Sequence, residues 1–186
     1  KICVFDMISL DGFFEGLNHD LSWHNVDNEF NEFAIEQIHE MDAILFGRVT
    51  YEMMNSYWPT LDAQKDDPVV AELMNSWPKV VFSRTLHQVT WNNSRLVYGE
   101  AYNEVRKLRQ MEGNDLVIFG SANLTSNLMK DGLVDELRIM VNPVILGNGV
   151  PLFRGLDHPI KINMSKKRVF NNGNVLMYYE IPTDRL

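Results

Sequence analysis

The strongest constraint on this chain is a rhythm. Short apolar runs with no polar alternation recur between segments of helical period. Ile2-Cys3-Val4-Phe5, Ala43-Ile44-Leu45-Phe46, Val80-Val81-Phe82, Leu96-Val97-Tyr98 and Leu116-Val117-Ile118-Phe119 are such runs. A strand that is apolar on both faces must be covered on both faces, which is the condition of a parallel sheet flanked by helices. Between the runs, Phe30, Phe33, Ala34, Ile38 and Met41 fall at helical spacing behind a candidate cap, Asp27. Thr50 to Asn55 reads as a short helix. Ala101, Val105 and Leu108 lie on one face of another, and Leu124 and Leu128 on one face of a third.

The last third changes character. Glu136 to Val141 reads as a strand and Pro143 to Pro151 as a Pro/Gly-rich loop. Ile160, Ile162 and Met164 then alternate with polar residues. Asn171-Asn172-Gly173-Asn174 is a turn signal leading into Val175 to Ile181. The reading is one α/β domain over residues 1–186, with a mixed, mostly parallel sheet and a C-terminal antiparallel hairpin.

Charge and cysteine usage exclude several functions. Acidic residues outnumber basic ones 25 to 17, a formal net charge of −8. That opposes a nucleic-acid binder, which needs a broad positive face, but one or two arginines suffice for a small phosphorylated ligand. Cys3 is the single cysteine, so no internal disulfide or cysteine zinc cage forms. The five histidines show no H-x-H or H-x-x-x-H spacing, and no metal site is expected. Asp6 interrupts the first apolar run, against a signal-peptide core. The uncharged stretch Ile139–Phe153 is short and broken by prolines and glycines, against a membrane span. It reads as core or as a dimer seam. A cytoplasmic protein with no membrane partner is expected.

The familiar nucleotide signatures fail. Gly147-Asn148-Gly149 is the only G-x-G, and neither a Walker loop nor a nucleophile elbow is present. Three strand ends remain. Gly47-Arg48-Val49-Thr50 lets backbone approach a ligand and adds a charge and a hydroxyl; equally, it is a tight turn with a capping threonine. Ser83-Arg84-Thr85 is a small anion site, or a surface arginine in a polar turn. Gly120-Ser121-Ala122-Asn123 opens a helix on which a diphosphate could sit, or is a serine cap. All three fall at the carboxyl ends of strands, where open α/β sheets bind ligands.

These residues carry a resemblance. Together with Ser9-Leu10-Asp11-Gly12-Phe13, Trp58-Pro59, Gly132 to Leu137 and Asn142 to Phe153, they are similar to the dihydrofolate reductase-like superfamily. Within it, the chain most resembles the reductase domain of the riboflavin-biosynthesis bifunctional deaminase–reductase and its stand-alone relatives, over nearly its whole length. The resemblance implies a three-layer fold, a homodimer, a small-molecule substrate and NADPH. Carried over by position, Arg48, Ser83 and Arg84 would hold the 2′-phosphate. Thr50, Gly120, Ser121 and Ala122 would lie along the diphosphate. Ser9, Leu10 and Asp11 would line the nicotinamide and substrate side, with Gly147 and Gly149 nearby. Charged hydrogen bonds contribute about 1.5–3 kcal/mol each, so two arginines would prefer NADPH over NADH by about a hundredfold or more.

Asp11 is the candidate to orient substrate or relay a proton, against a plain turn role before Gly12. Where dihydrofolate reductases carry a pterin-binding carboxylate, this chain has Asn28, flanked by Asp27 and Glu29, which counts against dihydrofolate. Arg154, Lys161 and Arg168 are candidates for a substrate phosphate. The expected function is reduction of a C=O or C=N in a pyrimidine- or pteridine-type compound, most like 5-amino-6-(5-phosphoribosylamino)uracil. The alternatives are a dihydrofolate or pteridine reductase, and a non-catalytic dimeric ligand-binding protein with an aromatic pocket from Trp23, Tyr51, Tyr57, Trp58 and Trp77.

Overall fold

The computed structural model describes residues 1–113 and 115–182. Asn114 and the last four residues of the expected 1–186 domain lie outside them. The first apolar run extends into an eight-residue strand, β1 (Ile2–Ser9), followed by the three-residue β2 (Phe13–Glu15). Next come α1 (Asn28–His39), β3 (Met41–Gly47), α2 (Arg48–Tyr57), α3 (Leu61–Asp66) and α4 (Pro68–Ser76). The chain continues through β4 (Lys79–Ser83), β5 (Ser94–Tyr98), α5 (Ala101–Gln110), β6 (Asp115–Phe119) and α6 (Ala122–Lys130). It closes with β7 (Glu136–Asn142), β8 (Val150–Pro151), β9 (Asn163–Val169) and β10 (Val175–Glu180).

Eight strands form one sheet in the order β5-β4-β3-β6-β1-β7-β10-β9, parallel except for β10, which runs antiparallel to both its neighbours. Alternate residues of β1 feed opposite layers: Ile2 and Val4 pack with α5 and α6 side chains such as Val105 and Leu128. Cys3 packs on the other face with Ile38 of α1, Tyr51 of α2 and Met74 of α4. That two-sided burial is why the run shows no alternation. The edge strand β5 is only half covered.

Several boundaries differ from expectation. Met41 starts β3 rather than ending α1; Asp27 caps α1 as expected, its carboxylate accepting from the Phe30 amide. The first hairpin strand is Asn163–Val169: of the alternating Ile160, Ile162 and Met164 only Met164 lies in it, and Ile162 and Met164 are exposed. The strand carries Lys166, Lys167 and Arg168, charges that blunt a free edge. α3, α4 and the small β2–β8 sheet have no counterpart in the apolar pattern. They are short, and α3 and α4 start at side-chain caps, Thr60 and Asp67.

Candidate functional site

Because β3, β4 and β6 are parallel neighbours, their carboxyl ends open onto one rim, where α2 and α6 begin. A groove of about 1190 Å³ runs along it. Arg48, Thr50, Ser83, Arg84, Ser121 and Ala122 all line it, although they are spread over more than seventy residues of sequence. Gly120 stands immediately behind at φ +59°; a Cβ there would press on the Thr50 side chain at 3.1 Å.

The hydroxyls in this set bond one another. Ser121 Oγ accepts from the Gly47 amide (2.8 Å) and donates to Thr50 Oγ1 (2.9 Å), which also accepts from the Ser121 amide (3.0 Å). Gly47 lacks the Cβ that would meet Ser121 Oγ at 3.0 Å, so the two loops close tightly. Ser83 Oγ accepts from the amides of Thr85 and Leu86, a serine turn that leaves Arg84 exposed at its corner. Arg48 is paired to Glu52 at 2.7 Å, whereas Arg84 has no carboxylate partner among the described residues. Ser121 makes no capping bond to its own helix, so the first-turn amides of α6 are uncapped. Glu15, Glu52, Glu100 and Asp131 also line the groove, so its positive character is local to the two arginines and to Lys130 and Arg154.

The expected substrate-side residues lie elsewhere. Ser9 is fully buried and its Oγ accepts from the Phe13 amide. Leu10 is 66% exposed. Asp11 accepts from the amides of Leu146 (3.1 Å) and Gly147 (2.8 Å), and the Ser9 hydroxyl followed by these amides holds its carboxyl below the usual range. Asp11 thus clamps two loops together. At Gly149, any Cβ would overlap the Glu15 carbonyl, so glycine lets β8 lie against β2. None of these five lines the groove; they brace the β2–β8 flap, whose Phe14, Glu15 and Val150 do.

The two acids that flank Asn28 are engaged by the fold. Asp27 caps α1, and Glu29 accepts from the Asn171 amide (2.9 Å) and pairs with Arg168 (3.6 Å). The aromatic pocket does not form: Tyr51, Trp58 and Trp77 belong to the core cluster under α2 and α4, and Trp23 stacks edge-on against His24. Arg154 lies in the groove, bonded to Asn123 Oδ1 at 2.6 Å.

The structure adds residues that pattern reading passes over. Glu15 and His19 face each other at 2.9 Å (Nδ1···Oε2) on the flap wall. Their spacing of four suggests a pair only on a helix, and this segment is a strand followed by a 3-10 turn. Asp6, in mid-β1, is buried with Oδ2 unpartnered.

Two guanidinium groups at adjacent strand ends, beside uncapped helix amides, suit a dinucleotide bearing a ribose phosphate. The mixed sheet and flanking helices form a dihydrofolate reductase-like fold. Dihydrofolate reductase from Enterococcus faecalis superposes with a TM-score of 0.65 over 97% of this chain and 95% of that one, at 13% identity, a likeness of fold. The profile of the RibD C-terminal domain matches residues 1–177. The chain belongs to that family. It is 33% identical to the uncharacterized protein YyaP of Bacillus subtilis strain 168, over 92% of this chain and 90% of YyaP. A riboflavin-biosynthesis-type protein from Shewanella sp. PV-4 superposes with a TM-score of 0.75 at 27% identity, covering 97% and 98% of the two chains.

Proposed function

We propose that this member of the family is an NADPH-dependent reductase acting on a C=O or C=N of a pyrimidine- or pteridine-type small molecule, with 5-amino-6-(5-phosphoribosylamino)uracil as the model compound. One observation carries the reading: Arg48 and Arg84, distant in sequence, line the same groove as the start of α6. Bound NADPH supplies a hydride at nicotinamide C4. The chain's own residues would grip the 2′-phosphate with Arg84 and Arg48, lay the diphosphate along the Gly120–Ala122 turn, and align the nicotinamide with the acceptor. The Thr50–Ser121 bonds make that turn rigid before the ligand arrives. Asp11 shapes the flap loop and does not need to touch the reacting atoms. The engagement of Asp27 in a helix cap and of Glu29 with Asn171 and Arg168 counts against dihydrofolate. The same reading includes a homodimer, which light scattering checks as twice the chain mass.

Titration of NADPH and NADH against the wild type and Arg84→Ala, followed by nicotinamide fluorescence, tests the cofactor. NADPH is expected to bind about a hundredfold more tightly than NADH, and Arg84→Ala to lose about tenfold or more for NADPH alone. Equal affinities, or an unchanged variant, remove the assignment. Absorbance of the nicotinamide band with 5-amino-6-(5-phosphoribosylamino)uracil then tests the reaction. Tight NADPH binding without its oxidation on that compound or on dihydrofolate favours the non-catalytic ligand-binding protein.

A further inference from the structure

The sheet order sets out the rim as a line. From β4 to β3 to β6 to β1 is three strand intervals, about 14 Å at the usual spacing. Arg84 stands at the β4 end and Arg48 at the β3 end. The Gly120–Ser121 turn follows at β6. Beyond it comes the flap that continues β1, with Phe14 lying 3.7 Å from where a Gly120 Cβ would sit. A dinucleotide gripped by its 2′-phosphate at the two arginines therefore directs its other end toward the flap wall.

On that wall stands a titratable pair. Glu15 is buried (8% exposed), and its Oε2 faces His19 Nδ1 at 2.9 Å. The imidazole has a side-chain exposure of 63%, and His19 lines the groove. His19 is the only histidine among the described residues that line the groove. Its backbone is held at a cost: Asn18 and His19 both adopt left-handed φ values, 58° and 60°, which non-glycine residues seldom take. The carboxylate on Nδ1 orients the ring and leaves Nε2 for a ligand, the arrangement by which a buried acid fixes a histidine for proton transfer.

We infer that the Glu15–His19 pair marks the reacting end of the groove and that His19 is a catalytic acid, donating from Nε2 the proton that must accompany hydride. This rests on the NADPH reading above and assigns its chemistry to named atoms. Hydride forms the new C–H bond at the acceptor carbon as the nicotinamide is oxidised. The π pair of the C=N or C=O moves onto nitrogen or oxygen. That atom takes the proton from the protonated imidazole, whose N–H bond breaks, and the neutral ring is reprotonated from water. Glu15 is a positioning residue, acting through the ring.

Diethyl pyrocarbonate labelling of the intact protein, mapped by mass spectrometry, locates the pair. The exposed His87 and His158, which do not line the groove, are internal references. NADPH is expected to protect His19 about tenfold relative to those two. The half-ligand 2′,5′-ADP, which reaches only the arginine end, is expected to bind without protecting it. Binding of both with no protection at His19, or equal protection by both, overturns the dyad alone. Failure of both to bind overturns the cofactor reading and the dyad with it. In NADPH oxidation with 5-amino-6-(5-phosphoribosylamino)uracil, His19→Gln is expected to lower kcat by about 10²-fold or more while NADPH affinity stays within about threefold. Glu15→Gln should lower kcat to a smaller extent and change its pH profile. An unaltered kcat in His19→Gln overturns the proposal.

Discussion

Asp6 shows what a single residue can cost when the sheet closes around it. It is 4% exposed, Oδ2 has no partner, and burial raises its carboxyl well above the usual carboxylate range, with the Gly120 amide acting in the opposite sense. The folded chain therefore holds a proton that the unfolded chain releases above about pH 4. Stability from this site is complete at acid pH and is lost as pH rises toward the folded value. Asp6→Asn keeps the shape of the protonated acid and cannot ionise. Its melting temperature at pH 8 is expected to exceed the wild type's by about 2–4 °C, the equivalent of about 1 kcal/mol for a chain of this size. Its pH dependence between 5 and 8 should be flatter by calorimetry; identical curves would refute the argument. Cys3 is set by the same desolvation: burial, then Glu136, pushes its thiol up to about 12. The native protein is expected to resist a disulfide reagent at pH 8 and to react once unfolded.

Between elements, the decisive contacts are the hydroxyl bonds that tie the start of α2 to the start of α6. Thr50→Val and Ser121→Ala each leave a partner unpaired and should cost about 1–3 kcal/mol. Because both lose the bond from Ser121 Oγ to Thr50 Oγ1, the double variant should cost less than the sum in denaturant titrations. Additive losses would mean the two hydroxyls act separately. Local signals made the elements themselves legible: Asp27 as a cap, Gly47 as the end of a strand, Arg84 at a turn. The bonds between them were not, since Thr50 and Ser121 are 71 residues apart and neither side chain signals its partner. The Glu15–His19 pair was hidden for a related reason, since it forms in a segment with no regular period.

At the level of the whole molecule, β1 lies between β6 and β7, both formed after residue 114. The first strand along the chain thus lies inside the sheet, with both of its neighbours supplied by the second half of the sequence. A fragment ending at Gln110 keeps β1 but neither of its neighbours. It is expected to show no cooperative melting transition, while the full chain melts in one step. A cooperative transition in the fragment would mean that β3, β4, β5 and their helices suffice as a core. The apolar runs are strands of this sheet, and no helix among the described residues is long and apolar enough to cross a membrane. What the sequence alone determined was the alternation of doubly buried strands with helices and the small and basic residues at their ends, because side-chain periodicity and turn chemistry act over a few residues. Which ends share a rim, which hydroxyls are spent on one another, and which acid is trapped in the interior were decided only by the tertiary structure. Those outcomes depend on strand order, and strand order follows from burying surface between segments more than a hundred residues apart.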